Sequence, residues 1–176
     1  LIKTADGDVR KAIRVKDAKT EVSFELSSAP VSFEIDPEYQ TFRILKDEEV
    51  PPSIASLLGD RESVMILPNR SKPNEKYTGV SILLSKDYGL DTTSDTEIGV
   101  KDFLASSSIL ILGGPGENSM MWLTGQYLSK HATVTDKEFI IEGKSFPRKG
   151  AVLVLSARNP HIPSKVICFF IADGGK

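Results

Sequence analysis

Segments within the first 45 residues alternate between apolar and polar side chains, imperfectly in residues 9–15 and cleanly in residues 20–26, and this pattern predicts β structure. Two segments, "VRKAIRV" (residues 9–15) and "TEVSFEL" (residues 20–26), flank the short polar turn "KDAK" and predict a β-hairpin. A third strand is expected in "VSFEIDP", where Val31, Phe33 and Ile35 share one face. Three strands do not bury one apolar face by themselves. This segment is therefore expected to pack on the rest of the chain or to be the end of a larger β domain.

Residues 46–52 are predicted to form a linker, because a run of charged residues is followed by Pro51 and Pro52. Two consecutive prolines disfavour both helix interiors and strand pairing. Beyond them, short continuous apolar runs predict strands and helical spacing predicts helices. The predicted strands are "SVMILP" (63–68), "SSILIL" (107–112), "AVLVLSA" (151–157) and "KVICFFIA" (165–172). Helices are predicted over residues 74–89, with Asn74 as candidate N-cap, and over residues 117–131. A small hairpin is predicted over residues 133–146.

Continuous apolar strands that alternate with helices are typical of a largely parallel sheet covered on both faces. The link "RNPHIPS" is too short for a crossover helix, so the last strand is expected to be antiparallel to its neighbour. We predict that residues 1–45 are a β segment, the end of a β-sandwich-like domain. Residues 53–176 are predicted to form a three-layer α/β domain with a flavodoxin-like or Rossmann-like, mostly parallel sheet whose last strand is antiparallel.

Composition and charge exclude several classes of partner. The chain has 40% hydrophobic and 26% charged residues, as globular proteins do. Its formal net charge is −2 and its basic residues are scattered, so neither nucleic acid nor anionic lipid is an expected partner. No apolar run approaches the roughly 20 residues of a membrane span. The single cysteine, Cys168, is predicted to be a buried, inert thiol. A start at Leu1 without methionine leads us to expect a fragment or a processed product.

No catalytic residue, metal ligand or cofactor is assigned from motifs. The sequence lacks HExxH, CxxC and D-x-D-x-D-G patterns, and His131 and His161 are not spaced as a pair of metal ligands. A G-x-S-x-G nucleophile elbow is also missing. We therefore do not expect this chain to be an enzyme by itself.

The stretch "LILGGPGENS" places a glycine-rich turn between a predicted strand and a predicted helix. In α/β folds this arrangement binds anions, because main-chain N–H groups and the helix dipole favour negative charge there. The pattern is neither G-x-G-x-x-G nor a P-loop. Pro115 lacks an N–H donor, and Glu117 brings its own negative charge to the helix start. The favoured interpretation is a tight turn capped by Glu117 or Asn118.

The turn nevertheless lies at the carboxyl end of a predicted strand, which is the usual ligand edge of an open α/β sheet. The segment "PNRSKPNE" follows another strand at the same edge. Side chains from both segments are expected to face one crevice. The candidate ligand-binding residues are Arg70, Lys72, Gly113, Gly114, Gly116 and Asn118.

Residues 20–45, "TEVSFELSSAPVSFEIDPEYQTFRIL", resemble a region of zinc metallopeptidases of the alanyl-aminopeptidase family (gluzincins). In that family a β-sandwich strand pair after the catalytic part closes with "p-V-x-V-D-P-x-x-x-x-[FL]". The following "DEEVPPSIASLLGD" and the α/β stretch are similar to a C-terminal extension of some bacterial members. The matching segment here reads Pro30-Val31-Ser32-Phe33-Glu34-Ile35-Asp36-Pro37.

The family's HExxH helix and its downstream glutamate have no counterpart here, so no catalytic residue is carried over. The resemblance implies a non-catalytic C-terminal accessory or interaction region of a larger metallopeptidase-like protein. Its partners would be the other domains of the same polypeptide, the parent would be of the zinc aminopeptidase type, and its location would be the bacterial envelope. The residues alone leave a second hypothesis open, a small-ligand-binding α/β module with its site at the carboxyl ends of the strands.

Overall fold

A computed structural model describes residues 1–47, 49–68, 75–97, 99, 102 and 104–173. The chain forms two compact units, Leu1–Ile44 and Leu45–Lys176, here called the N-terminal unit and the C-terminal unit. The described strands are β1 Ile2–Thr4, β2 Gly7–Val9, β3 Pro30–Phe33, β4 Val64–Leu67, β5 Asp91–Ser94, β6 Ile109–Leu112, β7 Ala132–Val134, β8 Glu138–Ile141, β9 Lys144–Pro147, β10 Val152–Arg158 and β11 Val166–Ala172. The described helices are α1 Ile54–Leu58, α2 Glu75–Tyr88 and α3 Met121–Ser129.

The N-terminal unit is a small antiparallel sheet with the strand order β2-β1-β3. Ile2 of the central strand pairs with Val9 on one side and with Phe33 on the other. Ile2 is also the one buried apolar residue of this unit, all of whose residues are described. Val31 and Phe33 on β3 are 75% and 60% exposed. The third predicted strand is therefore present, but its apolar side chains do not form a core within the unit.

The predicted hairpin of residues 9–15 and 20–26 is wrong. Residues 10–29 form no strand, and only Val9 of the two segments lies in one, at the end of β2. Val15 is 68% exposed and Val22 is 46% exposed. Alternation alone does not hold a two-stranded ribbon in water, because an isolated hairpin needs a covering layer for its apolar face.

Local hydrogen bonds, rather than a core, shape the end of the N-terminal unit. Asp36 has a positive φ of 51°, which is uncommon for a non-glycine residue. Its carboxylate accepts hydrogen bonds from the main-chain N–H groups of Gln40 and Thr41, at 2.8 and 2.9 Å, and from the Thr41 hydroxyl at 2.7 Å. The Asp-Pro segment of the family resemblance is therefore a turn closed by its own aspartate.

The C-terminal unit is built around a five-stranded sheet with the order β10-β11-β6-β4-β5. Strands β5, β4, β6 and β11 run parallel, and β10 runs antiparallel to β11 at one edge. The mixed α/β class and the mostly parallel sheet are thus as predicted, and β10 and β11 are antiparallel neighbours. The prediction is wrong in one respect, since the strand that opposes the sheet is β10 and not the last strand. The last strand, β11, lies between β10 and β6, and its side chains are more deeply buried than those of the edge strand β10.

Alternate side chains of the central strands pack on opposite faces of the sheet, so both faces are buried. On one face, Ile109 and Ile111 pack with α3 and with residues of β7, β8 and β10. On the other face, Leu110 and Leu112 pack with Leu57 of α1 and with the buried side of α2. All four residues of β6 are fully buried. Continuous apolar strands in the sequence therefore mark the strands that have a layer on each side.

Other elements of the C-terminal unit also differ from the sequence prediction. Helix α3 begins at Met121 rather than at residue 117, because residues 113–119 form hydrogen-bonded turns. The predicted hairpin 133–146 is a three-stranded antiparallel sheet, β7-β8-β9. The polar strand β5 was not predicted, since an edge strand with one paired side does not require an apolar sequence. None of the described helices is long and apolar enough to cross a membrane.

Candidate functional site

The sheet of the C-terminal unit has an edge at which its parallel strands end. We call it the carboxyl edge, and the strands that end there are β4, β5, β6 and β11. Strand β4 lies between β5 and β6, so the chain leaves the end of β4 towards one side and later returns on the other. In open α/β sheets such a reversal of strand order creates a crevice at the carboxyl ends of the strands.

The glycine turn, residues 113–118, connects β6 to the region of α3 at this edge. Gly113 and Gly116 have φ values of 100° and 85°, a region that favours glycine. Gly114 is in a tight position for a different reason, since a Cβ there would lie 3.0 Å from Cγ2 of Ile171, which would have to shift. The glycines therefore let the main chain reverse direction against the end of β11.

Asn118 occupies the position between the ends of β4 and β6. Its side-chain amide donates to the carbonyl oxygens of Ile66, at 3.1 Å, and Leu112, at 2.9 Å. Its Oδ1 accepts from the N–H of Met120 at 2.9 Å, and the residue is 3% exposed. Asn118 thus closes the turn with its own side chain, but it does not cap α3, whose N-cap position is Met120 and has no side-chain hydrogen bond. The amide of Asn118 thus bridges the carboxyl ends of the two neighbouring strands β4 and β6.

Most main-chain donors of the turn are also paired within the chain. The N–H of Gly113 donates to Phe170. Asp95, which follows β5 and is 5% exposed, accepts from the N–H of Ser119 at 2.6 Å. An anion cradle of the kind found in dinucleotide-binding folds depends on N–H groups that point at the ligand. Here the N–H groups of Glu117 and Asn118 both donate to the carbonyl oxygen of Gly114. The N–H of Ser119 is taken up by Asp95 and that of Met120 by Asn118 Oδ1.

Glu117 is the centre of a polar cluster beside the turn. Its Oε1 accepts from Nζ of Lys76 at 2.6 Å. Its Oε2 accepts from the N–H of Gly114 at 2.9 Å and from the hydroxyl of Tyr77 at 3.1 Å. Nη2 of Arg148 lies 3.8 Å from the same oxygen. We call Lys76, Tyr77, Gly114, Glu117 and Arg148 the Glu117 cluster.

The charges in this cluster are little exposed. The side chains of Lys76 and Arg148 are 15% and 13% exposed, that of Glu117 is 26% exposed, and Tyr77 is fully buried. Burial opposes the ionisation of Glu117, but hydrogen bonds from Gly114, Lys76 and Tyr77 outweigh it and hold the pKa of Glu117 below its usual value. Burial, with the charge of Glu117 beside the hydroxyl, raises the pKa of Tyr77. The carboxylate is thus ionised and the phenol is neutral at pH 7.

The structure brings four of the predicted site residues, Gly113, Gly114, Gly116 and Asn118, into the glycine turn. Arg70 and Lys72, like the candidate N-cap Asn74, lie outside the described residues. The sequence analysis did not assign Lys76, Tyr77, Asp95 and Arg148 to this edge. Asp95 directly follows β5, which ends at this edge, and that position is a usable signal. Nothing local marks Arg148, which reaches the turn only through the tertiary fold.

Other reactive groups are not assembled into a site in the described part of the chain. No group of three or more His, Cys, Asp or Glu side chains suited to a metal ion occurs among the described residues. Cys168 is buried in β11, and burial raises the pKa of its thiol to about 12. In comparisons with protein families, with curated proteins and with solved structures, none matches the chain.

Proposed function

We propose that this chain is a non-catalytic accessory region of a larger, metallopeptidase-like protein, and that its N-terminal unit docks on another domain of that protein. The observation that carries the proposal is the exposed apolar surface of the N-terminal unit. Val31 and Phe33 lie on β3 and Ile35 follows that strand, and all three are 60% or more exposed. Phe42 and Ile44, which follow, are 112% and 97% exposed.

Single exposed apolar residues are common on protein surfaces, but contiguous apolar patches mark interaction sites. Here the apolar side of β3 belongs to the segment that resembles the closing strand of a peptidase β-sandwich. In a sandwich such a side packs on the facing sheet. The natural partner for this face is therefore a β-sheet of the parent protein. The HExxH motif that this chain lacks would lie in the catalytic part of that parent.

The first test is the coding sequence upstream of Leu1. We expect it to encode an HExxH helix followed by a glutamate, and β strands that lead into residue 1. An upstream sequence without these features would remove the peptidase parentage. Purified on its own, this chain is expected to show no aminopeptidase turnover with zinc added, and turnover in a clean preparation would contradict a non-catalytic role.

The second test measures docking directly. The upstream polypeptide would be purified and its binding to this chain measured by titration calorimetry. Val31→Ser/Phe33→Ser is expected to weaken binding at least tenfold, since each buried side chain of this size contributes about 1.5–3 kcal/mol. The matched control is Val152→Ser/Val154→Ser, which changes two half-exposed positions of β10 in the other unit. Equal binding by both variants would show that β3 is not the docking face.

A second candidate function is a small-ligand-binding α/β module. The strand order β5-β4-β6 favours it, because this arrangement is similar to that of flavodoxin-like sheets, which bind ligands at the reversal. Thermal unfolding with a panel of nucleotides and flavins tests it. A ligand at about one hundred times its Kd adds about 2.7 kcal/mol to the free energy of unfolding. The absence of any shift across the panel would leave the accessory role as the better account.

A further inference from the structure

The Glu117 cluster collects hydrogen-bond donors and positive charge from distant parts of the chain around one carboxylate. Lys76 and Tyr77 come from the first turn of α2, Gly114 from the glycine turn, and Arg148 from the segment before β10. Their sequence separations from Glu117 reach 41 residues. Convergence from three elements on one pair of oxygens is how proteins bind a carboxylate ligand, with charge-assisted hydrogen bonds on each oxygen.

The surroundings of the carboxylate also have the features of a built site. Tyr77 is fully buried, and its hydroxyl lies within hydrogen-bond distance of Oε2. The main-chain N–H of Gly114 donates to the same oxygen at 2.9 Å. A Cβ at Gly114 would lie 3.8 Å from both Glu117 Oε2 and Arg148 Nη2.

The cluster supplies more donor capacity and more positive charge than Glu117 uses. Two cations, Lys76 and Arg148, face a single carboxylate. Nε of Arg148 is buried and has no hydrogen-bond partner among the described residues. Its Nη1 donates to the carbonyl of Thr135 at 3.0 Å, which holds the guanidinium in place. A buried donor without an acceptor is uncommon in native proteins and calls for an explanation.

We propose that Lys76, Tyr77, Arg148 and the Gly114 N–H form a carboxylate-binding site, and that Glu117 is its tethered occupant. The site lies at the carboxyl edge, where a ligand of this unit would bind. Because Glu117 is attached to the turn, its effective concentration at the site exceeds that of a free small carboxylate. The wild-type site is thus closed to small acids, and removal of the Glu117 side chain opens it. This inference does not depend on the accessory role.

The test is chemical rescue of Glu117→Ala by acetate, in the full 176-residue chain. Thermal unfolding is followed over a concentration series of sodium acetate, with sodium chloride keeping the ionic strength constant. We expect Glu117→Ala to unfold at a lower Tm than wild type in chloride. Acetate at about ten times its Kd should then raise that Tm by about 3 to 6 °C, and the effect should saturate. The wild-type Tm should not respond.

Two matched variants separate site binding from general salt effects. Glu117→Gln keeps the volume of the side chain, so it should leave no room for acetate and show no saturable shift. Glu117→Ala/Lys76→Met lacks the shortest donor contact, and its response should be at least tenfold weaker. Equal shifts in wild type and all variants would overturn the proposal, as would a folded Glu117→Ala chain with no saturable response.

A Glu117→Ala chain that does not fold in chloride still gives a decisive result. A ligand that binds only the folded state promotes folding by mass action. Recovery of a cooperative unfolding transition in acetate would therefore support the proposal. A chain that stays unfolded in acetate while Glu117→Gln folds would overturn it.

Discussion

Phe33 in the N-terminal unit and Phe169 in the C-terminal unit illustrate how different the two units are. Both residues lie in strands, but Phe33 is 60% exposed whereas Phe169 is fully buried. The sheet around Phe169 has a layer on each face, and the sheet around Phe33 buries a single apolar residue of its unit, Ile2. An apolar strand pattern thus shows what a segment is suited to bury, while burial itself depends on the presence of a covering layer.

The units also differ in the contacts that hold their polar turns. In the N-terminal unit, Asp36 closes a turn with residues four and five positions away. In the C-terminal unit, Asn118 and Glu117 bind groups 52 and 41 positions away. Local bonds shape a segment without tying it to a core. The long-range bonds of the C-terminal unit join elements, so they are lost only when that unit opens.

The largest expected effect is a core truncation in the C-terminal unit. Phe169→Ala removes a fully buried aromatic side chain and should lower the free energy of unfolding by about 3 to 5 kcal/mol. Phe33→Ala should change it by less than about 0.5 kcal/mol. Urea denaturation followed by far-UV circular dichroism measures both. A large cost for Phe33→Ala would break the comparison, because it would reveal a core in the N-terminal unit.

Next in size is the loss of the amide that joins β4 to β6. Asn118→Ala leaves the carbonyl groups of Ile66 and Leu112 without this donor, which should cost about 2 to 3 kcal/mol. The matched control is Gln126→Ala, whose exposed side chain makes one local hydrogen bond on α3. The control should cost less than about 0.5 kcal/mol. Similar values for the two variants would show that the Asn118 bonds do not stabilise the sheet.

Glu117→Gln should have an intermediate effect that depends on pH. The pKa of Glu117 is lower in the folded chain than its ordinary value of 4.5, so the folded state binds this proton less readily than the unfolded state. The contribution of ionised Glu117 to the free energy of unfolding is therefore complete above about pH 4.5 and is lost as pH falls through the pKa of the folded state. At pH 7 the substitution should cost about 1.5 kcal/mol, the lower end for a hydrogen bond to a charged group.

The measurement for Glu117 is urea denaturation at a series of pH values for both proteins. The difference between wild type and Glu117→Gln should shrink below pH 4.5, because Glu117 of the unfolded wild-type chain is then protonated more than that of the folded chain, which favours unfolding. A difference that stays constant with pH would mean that the charge of Glu117 contributes nothing. The other carboxylates are common to both proteins and cancel in this comparison.

The smallest expected effect is that of Val31→Ser/Phe33→Ser on the C-terminal unit. Cys168 is buried in β11 with its thiol pKa raised to about 12 by burial, so a thiol reagent labels it only when that unit opens. The double substitution should change the labelling rate by less than about twofold, as expected for changes below about 0.5 kcal/mol. A much faster rate would show that the apolar face of β3 stabilises the C-terminal unit.

Much of the C-terminal unit was predictable, because its strands are apolar on both sides and continuous apolar runs identify them. Helix α2 was predicted in spite of Gly79, which the structure places inside the helix. The polar edge strand β5 carries no such signal. The hairpin at residues 9–26 was predicted from alternation and is wrong, since alternation does not show whether a covering layer is present.

The candidate site likewise has features that the sequence predicted and features that only the structure shows. Sequence placed the glycine turn at the carboxyl end of β6 and indicated that Pro115 and Glu117 weaken it as an anion cradle. It did not indicate that the side chain of Asn118 bridges β4 and β6. It also gave no sign that Arg148 would lie near Glu117, because 31 residues and a three-stranded sheet separate them in the chain.

The sequence by itself determined the α/β class of the C-terminal unit, its main strands and the presence of a glycine turn at a strand end. These are consequences of side-chain periodicity and of local backbone preferences, which a short segment carries alone. Only the tertiary structure decided that the turn is closed by the chain's own amide and carboxylate and that the N-terminal strands have no core. Both depend on which distant groups are brought together, and that follows from packing across the whole unit rather than from any local pattern.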